Sequence, residues 1–292
     1  MLIVQIIGGL GNQMFQYAAG RALAERLGVS LTLDISAFEN YTLHQGFELS
    51  RVFAMNPAKA TRQDLRRVLG WQHSPMVRSL LSRRPFAALR SQNFVSEPHF
   101  HHWNGFDLLG DNIYLVGYWQ SEKYFKPVIT QIREDFRFRP PLEGRNIELA
   151  ARMSQTQAIS LHVRRGDYVS NPKAASTHGL CSLDYYRAAV AHVVGKVEKP
   201  EFFIFSDDID WARANLLLDF PHHFVAHNQG AASYIDMRLM SLCSYHVIAN
   251  SSFSWWGAWL NPKPEKIVVA PRQWFANDNN VQDLFPEDCV LL

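Results

Sequence analysis

The sequence has 292 residues, of which 47% are hydrophobic, and this length and composition suit two domains with buried cores. Its net charge of +2 is nearly neutral and argues against a dedicated nucleic-acid-binding protein. Its odd number of widely spaced cysteines predicts neither a disulfide framework nor a zinc site: Cys181, Cys243 and Cys289.

Two further features bear on where the protein works. No stretch approaches the roughly twenty uninterrupted apolar residues of a membrane-spanning helix. The first residues also lack the basic flank and small-residue cleavage site of a secretory signal. We therefore expect a cytoplasmic protein.

The chain opens with an apolar run at residues 2–7, a glycine-rich turn, and apolar residues at helical spacing. Alternating apolar residues then lead up to Asp34 and predict a second strand, which completes a βαβ unit. The turn resembles a dinucleotide-binding fingerprint, and Asp34 lies near the place of its ribose-binding acid. Met14 occupies the position of the third glycine, so a nicotinamide oxidoreductase is the lesser alternative.

The same turn has two other interpretations. It can be purely structural, or it can let backbone N–H groups approach a ligand at a helix N-terminus. In the second case Gly11 and Asn12 belong to the binding site.

Residues 61–90 carry a concentration of arginine against a single acid, Asp64. Leucines in the same segments fit a helical face. A solvated helix face is one interpretation, and a surface resting on an anionic membrane is the other. The arginines are Arg62, Arg66, Arg67, Arg78, Arg83, Arg84 and Arg90.

The middle of the chain is less regular. His99, His101 and His102 stand in a stretch that is more typical of a loop than of a metal site, and residues 113–119 predict a strand. The pair Pro140-Pro141, followed by charged residues and glycine, predicts a domain boundary between residues 140 and 155. We therefore expect domains at residues 1–150 and 151–292.

The second half predicts alternating strands and helices. Strands near residues 159–163, 202–205 and 245–249 each end in a polar loop, and helices near residues 184–194, 212–218 and 234–242 lie between them. Because ligands of open parallel sheets bind at the carboxyl ends of the strands, the three loops predict one shared site.

The first loop contains Arg164 and Arg165 directly after a buried-looking strand. Two adjacent guanidinium groups repel each other unless an anion lies beside them, and a diphosphate accepts their paired hydrogen bonds. Asp167 can orient one of them. A salt-bridged surface turn is the alternative.

The second loop, residues 206–210, contains an Asp-x-Asp sequence. Three interpretations stay open: a divalent metal on a donor diphosphate, acids capping a helix, or a carboxylate that accepts the N–H groups of guanine. The third loop begins at Asn250 and opens a helix, where small hydroxyls and N–H groups form an anion site. Trp255 and Trp256 are more typical of core packing than of a sugar platform.

Taken together, residues 8–17, 162–168, 178–186 and 251–257 resemble the signature segments of the α-1,2-fucosyltransferases of glycosyltransferase family 11. The resemblance implies an α/β fold with two Rossmann-like domains facing a cleft, the GT-B type. It implies an acceptor-side domain at residues 1–150 and a GDP-fucose-binding domain at residues 151–292. It also implies inversion at the sugar carbon without a metal or other cofactor, since GDP-fucose is the donor substrate.

The resemblance also implies roles for individual residues. Arg164 is the main partner of the β-phosphate, Asp167 supports it, and Asp207 reads guanine. The donor-binding set is His162, Arg165, Asp207, Ser251, Ser252, Phe253, Gly11 and Asn12. For the base that takes the acceptor proton, Asp34, His178 and Asp167 are open, and His178 is preferred because histidine titrates near neutral pH. The catalytic set is then Arg164, Asp167 and His178.

On the same grounds, the acceptor is the 2-hydroxyl group of a terminal β-galactose on an oligosaccharide. A lipid-linked oligosaccharide would explain a peripheral membrane contact through Arg62–Arg90 at the inner face of the membrane. A fucosyltransferase of another regiospecificity is the nearest alternative. A non-catalytic glycan-binding protein is the alternative from another class, but it leaves the arginine pair without an anion.

Overall fold

The computed structural model describes residues 1–39, 45–277 and 280–292, without the side chains of Asp167, Ser170, Lys173 and Ala174. The chain divides into two compact units. The first consists of Met1–Pro140 with Asn280–Phe285, and the second of Pro141–Asn279 with Pro286–Leu292. The binding roles assigned to residues 1–150 and 151–292 stay predictions.

The first unit is a five-stranded parallel sheet with helices. Its strands are β1 (Leu2–Gln5), β2 (Leu31–Asp34), β3 (Ala58–Lys59), β4 (Phe94–Ser96) and β5 (Ile113–Val116). Its α-helices are α1 (Leu10–Leu27), α2 (Leu49–Val52), α3 (Arg62–Leu69), α4 (Pro75–Leu81) and α5 (Ile129–Asp135). Six 3₁₀ helices are also described in this unit: Ser36–Phe38, Gly70–His73, Arg84–Leu89, Asn104–Leu108, Glu122–Tyr124 and Lys126–Val128.

The strands of this sheet lie in the order β3-β2-β1-β5-β4. The central strand β1 is apolar because it is covered on both faces, and Ile3 and Val4 have no exposed surface. Gly20 of α1 packs so closely on this strand that an added Cβ would lie 2.4 Å from Val4 Cγ2. The strand predicted for residues 113–119 is shorter and ends at Val116. Beyond it, the N–H groups of Tyr118 and Trp119 donate to the carboxylate of Glu97 instead of to a neighbouring strand, and Trp119 has a left-handed backbone with φ of 54°.

The second unit is a six-stranded parallel sheet with helices. Its strands are β6 (Gln157–Val163), β7 (Pro200–Ser206), β8 (His222–Val225), β9 (Tyr245–Val247), β10 (Ile267–Ala270) and β11 (Val290–Leu291). Its α-helices are α6 (Arg145–Gln155), α7 (Gly166–Ser170), α8 (Pro172–His178), α9 (Leu183–Val194), α10 (Ile209–Asn215), α11 (Tyr234–Leu242) and α12 (Ser252–Leu260), with a 3₁₀ helix at Gly230–Ala232.

The strand order of this unit is β8-β7-β6-β9-β10-β11. Numbered from β6, this is the 3-2-1-4-5-6 order of a Rossmann sheet. The chain winds outward in both directions from β6 and β9, so the topological switch point lies between these two neighbours. The strand interiors are fully buried, as in Ile159, Leu161 and Ile204. Within the described residues, no helix has the length and apolar character needed to span a bilayer.

Candidate active site

The predicted polar loops of the second unit meet at the switch point. The loop that starts at Arg164 follows β6, and the loop that starts at Ile248 follows β9. Since β6 and β9 pair in parallel, with Leu161 beside Val247, their carboxyl ends are adjacent. The hydroxyl of Tyr168 also donates to the carbonyl oxygen of Asn250 over 3.3 Å, which joins the two loops. In sheets of this topology, the switch point is where ligands bind.

Arg164 is held at this position by contacts on two sides. Its Nη1 lies 3.0 Å from Oδ2 of Asp207, and its guanidinium carbon lies 5.3 Å from the centre of the Tyr168 ring. The side chain is 23% exposed, which leaves part of the cation open to solvent. A partly exposed guanidinium with a fixed direction is suited to binding a phosphate oxygen.

Arg165 makes a different set of contacts. Its Nε lies 3.2 Å from Oδ2 of Asp208, and its guanidinium carbon lies 4.0 Å from the centre of the Trp211 ring. Its backbone N–H donates to Oδ1 of Asp207 over 2.8 Å. The two adjacent arginines therefore pair with different acids, and the contacts of Arg165 fix the loop beside Arg164.

The acids of the Asp-x-Asp segment are engaged by these arginines and by α10. Both oxygens of Asp207 have partners, and Oδ1 of Asp208 caps α10 by accepting the N–H of Trp211 over 3.2 Å. Helix capping is thus present, and a guanine-reading role for Asp207 stays a prediction. Among the described residues, no group of three or more histidines, cysteines and acids could hold a metal ion. Metal independence also stays a prediction.

His162 lies at the end of β6 and is 5% exposed. Burial lowers the pKa of its imidazole to about 4; Asp207 opposes this shift and the charge of Arg164 adds to it. The ring is therefore neutral at pH 7. Its centre lies 5.9 Å from that of Phe253 in α12, and no described group hydrogen-bonds to its Nδ1.

His178, the preferred base, ends α8 between two aromatic rings. Its ring stacks on Tyr168 with 4.7 Å between centres, and the Phe275 ring lies 5.7 Å away. The structure thus places His178 beside the Arg164 loop. The side chain of Asp167, the other catalytic candidate of this loop, lies outside the described residues.

Asn250 is a central residue of the site that sequence reasoning treated only as the start of a loop. It is 2% exposed, and its Nδ2 donates to the carbonyl oxygens of His178, Gly179 and Trp274 at 2.9, 3.4 and 3.3 Å. Its Oδ1 accepts from Cys181 Sγ at 3.4 Å. Asn250 therefore positions the segment that carries His178. A polar residue directly after an apolar strand was the only sequence signal for it.

The helix α12 starts just after Asn250, with Ser251 as its N-cap and Ser252 as its first residue. Ser251 is 7% exposed, and within the described part of the chain its side chain forms no capping hydrogen bond. The N-terminal N–H groups of a helix lack intrahelical acceptors and carry partial positive charge. This end of α12 can therefore bind an anion beside the Arg164 loop.

The glycine-rich turn belongs to the first unit, so Gly11 and Asn12 are not in the same unit as the other predicted donor-binding residues. Both lie in the first turn of α1, and Asn12 Oδ1 accepts from Gln120 Nε2 over 2.8 Å. Two buried glutamines fix the turn. Gln13 donates to the carbonyl of Gly8, and Gln16 accepts from the N–H of Ile7.

Asp34, an open candidate for the base, is a buried structural acid in this unit. It is 2% exposed, accepts from the hydroxyl of Tyr114 over 2.6 Å, and lies 3.2 Å from Nη2 of Arg78. Its other oxygen accepts the N–H of Ser36 over 3.1 Å. These partners and its burial argue against proton transfer to an acceptor sugar.

The histidine cluster of the first unit forms part of a cavity of about 530 Å³. The rings of His99 and His101 stack with 3.5 Å between centres, and Lys123 and Asp283 form an ion pair at the same cavity. Among the described residues, neither these histidines nor any other set of three or more histidines, cysteines and acids is arranged to hold a metal ion.

Comparison with known proteins places these features in a family. The family model described as glycosyl transferase family 11 matches residues 1–288. An alpha-1,2-colitosyltransferase of Escherichia coli is 37% identical over 297 residues, which cover 99% of this chain and 98% of that protein. The O-antigen biosynthesis glycosyltransferase WbnK of Escherichia coli is 35% identical, over 93% and 94%. A galactoside alpha-(1,2)-fucosyltransferase 1 of Saimiri boliviensis boliviensis is 26% identical, over 87% and 63%.

Among solved structures, the NodZ alpha-1,6-fucosyltransferase soaked with GDP-fucose matches with a TM-score of 0.51 at 16% identity. The match covers 89% of this chain and 92% of that one. This likeness confirms the predicted α/β fold with two Rossmann-like units of the GT-B type.

Proposed function

Since this chain belongs to glycosyl transferase family 11, we propose that it transfers L-fucose from GDP-fucose to the 2-hydroxyl group of a terminal β-galactose. The observation that carries the proposal is Arg164, fixed by Asp207 at the switch point where the N-terminus of α12 also lies. A cation and a helix N-terminus that follow two adjacent parallel strands are suited to binding the diphosphate of a nucleotide sugar.

The proposed mechanism follows from the movement of charge. As the bond between the fucose C1 and the diphosphate oxygen breaks, negative charge develops on GDP and positive charge on the sugar ring. Arg164 and the N–H groups at the start of α12 stabilise the leaving diphosphate. The galactose oxygen attacks C1 from the opposite face, which inverts its configuration, and its proton passes to a base. We propose His178 for that base because its segment is fixed beside the Arg164 loop by Asn250.

The nucleotide is proposed to lie along the same edge of the sheet. His162 is neutral at pH 7 and would contact the nucleoside beside Phe253. Ser251 and Ser252 would contact the diphosphate at the helix N-terminus. Arg165 supports the site through its bonds to the acids after β7.

Colitose is a second candidate for the transferred sugar, because the colitosyltransferase relative is 37% identical over 99% of this chain. The name of that relative also specifies an alpha-1,2 linkage, in agreement with the proposed regiospecificity. Galactose as the acceptor sugar is supported by the name of the galactoside fucosyltransferase, at the lower identity of 26%.

We also propose that the acceptor is an oligosaccharide on a lipid carrier and that transfer occurs at the cytoplasmic face of a membrane. The support is the O-antigen biosynthesis relative, which is 35% identical over 93% of this chain. The exposed arginines between residues 62 and 90 provide the proposed peripheral contact, namely Arg62, Arg66, Arg67, Arg83 and Arg84.

The test measures GDP release from GDP-fucose in EDTA, with and without a water-soluble β-galactoside, and identifies the product by mass spectrometry and linkage analysis. GDP-colitose is run in parallel. We expect acceptor-dependent release and an α-1,2-linked product, and a decrease of about 10²- to 10³-fold in kcat for Arg164→Ala. Arg187→Ala, at an exposed arginine of α9, is the control. Release that needs a divalent metal, or that survives Arg164→Ala, would contradict the mechanism.

A further inference from the structure

Four large apolar side chains protrude from one segment of the first unit. Trp71 is 69% exposed and Met76 is 85% exposed, while Leu80 and Leu89 are 40% and 58% exposed. The same segment presents exposed arginines, namely Arg62, Arg66, Arg67, Arg83 and Arg84. We refer to these nine side chains as the basic apolar surface.

The elements that carry this surface cover one face of the sheet. Leu65, Val68 and Leu69 of α3 and Leu81 of α4 pack in a single cluster with residues of β1, β4 and β5. Val77 and Phe86 pack against the same cluster. Because α3, α4 and the 3₁₀ helix Arg84–Leu89 all turn their inner sides to one core, their outer sides face away from the sheet together.

The structure corrects the sequence prediction at two arginines. Arg78 is 2% exposed, pairs with Asp34, and donates to Ser36 Oγ over 2.8 Å and to the carbonyl of His73. Arg90 donates from Nε to the carbonyl of Leu81 over 2.7 Å. These two residues hold the segment in place and do not belong to the basic apolar surface.

The charge of the surface decides what can cover it. The only acid between residues 61 and 90 is Asp64, and its carboxylate caps α3 through the N–H of Thr61. A second copy of the same surface would bring arginine against arginine. Nucleic acid would match the arginines but would leave Trp71, Met76 and Leu80 in water. An anionic bilayer matches both, because its headgroups attract arginine and its interface accommodates tryptophan and aliphatic side chains.

We propose that the basic apolar surface docks this protein on a bilayer of anionic phospholipid. Trp71, Met76, Leu80 and Leu89 enter the interface, and the five exposed arginines bind lipid phosphates. Membrane docking rests on the proposed function only for its purpose, which is to bring the enzyme to a lipid-linked acceptor. Each arginine near the headgroups contributes about fivefold to the partition coefficient.

The first test is co-sedimentation with vesicles of phosphatidylcholine alone and of phosphatidylcholine with one quarter phosphatidylglycerol. The wild-type protein should bind the anionic vesicles and detach at high salt, because exposed charges are screened. Arg66→Glu with Arg83→Glu should reduce the partition coefficient by at least about 20-fold. Arg137→Glu with Arg187→Glu is the matched control, since both arginines are exposed and lie outside the surface.

Insertion of Trp71 is tested by fluorescence quenching with brominated phosphatidylcholine in the anionic vesicles. Quenching should occur in the wild-type protein and be much weaker in Trp71→Phe. Equal binding to neutral vesicles, equal loss in both charge-reversal pairs, or quenching unchanged by Trp71→Phe would overturn the proposal. So would preferred binding of the surface to a duplex oligonucleotide in competition with the vesicles.

Activity on the water-soluble galactoside separates this proposal from the proposed function. We expect the Arg66→Glu, Arg83→Glu pair to retain that activity while losing vesicle binding. Vesicle binding by a wild-type protein that transfers no sugar would contradict the proposed function and leave the docking surface standing.

Discussion

Oδ2 of Asp207 lies 3.0 Å from Nη1 of Arg164, while Oδ1 of the same carboxylate accepts the backbone N–H of Arg165. One acid after β7 therefore positions a cation after β6, across neighbouring parallel strands. Gly166 is part of this arrangement, because a Cβ at that position would lie 2.6 Å from Oδ2 of Asp207. Arg164 is thus directed before any ligand binds, and preorganisation of this kind is what stabilises charge in a transition state.

This arrangement predicts the behaviour of Asp207→Asn. If Asp207 acts through Arg164, the variant should lose affinity for GDP and UDP by a similar factor, with a decrease of about tenfold or more in kcat. If Asp207 reads guanine, selectivity for GDP over UDP should fall instead. Calorimetric titration with both nucleotides, together with steady-state kinetics, distinguishes the two roles.

Asn250 should be required for both stability and activity. Asn250→Ala removes the donor to the carbonyl oxygens of His178, Gly179 and Trp274, and a buried polar group left unsatisfied, such as the Trp274 carbonyl, costs about 1–3 kcal/mol. We expect a lower unfolding free energy and a lower kcat, because the His178 segment loses its support. Asn215→Ala is the control, since Asn215 lies at the end of α10 and donates to the carbonyl oxygen of Trp211 over 2.8 Å. Equal effects of the two variants on kcat would argue against this role.

Glu97 should make stability depend on pH. Burial raises the pKa of its carboxyl from 4.5 to about 7, although the N–H groups of Tyr118 and Trp119 oppose the shift. Between these two pH values the folded chain binds more protons than the unfolded chain, so the free energy of unfolding decreases as the pH rises. The decrease amounts to at most about 3 kcal/mol for this group.

The measurement compares the wild-type protein with Glu97→Gln by urea unfolding at pH 5 and pH 7.5. The variant should show a smaller loss of stability between the two pH values. Glu134→Gln, at an exposed acid of α5, should behave as the wild-type protein does. Parallel pH profiles for all three proteins would exclude Glu97 as the source.

Gly8 should tolerate substitution less well than Gly28, although both have a positive φ, of 78° and 63° respectively. At Gly28 an added Cβ meets nothing within 4 Å, so Gly28→Ala should cost only the backbone strain of about 1–2 kcal/mol. At Gly8 the added Cβ would lie 2.8 Å from Nδ2 of Asn12. The Asn12 side chain cannot move away freely, because its Oδ1 accepts a hydrogen bond from Gln120. Thermal unfolding of both variants should show the larger decrease for Gly8→Ala.

Local sequence patterns predict the helices of the second unit, but not all of their ends. The helix predicted for residues 184–194 is observed at Leu183–Val194, and the one predicted for residues 234–242 at Tyr234–Leu242. The helix predicted for residues 212–218 instead occupies Ile209–Asn215, because Asp208 caps it at the N-terminus. Periodicity identified this helix, but a side-chain contact fixed its start.

The sequence by itself determined that polar loops follow buried parallel strands and that Arg164 and Ser251 lie in them, because apolar strands and helix starts are local patterns. Only the tertiary structure decided which acid faces each arginine, that Asn250 supports the His178 segment, and that Arg78 is buried against Asp34 while Arg66 stays exposed. Arg78 and Arg66 look alike in the sequence. The burial and pairing of an arginine depend on groups that are distant in the sequence, as in the bond of Arg78 to Ser36, 42 residues away. Such groups come into contact only when the sheet forms.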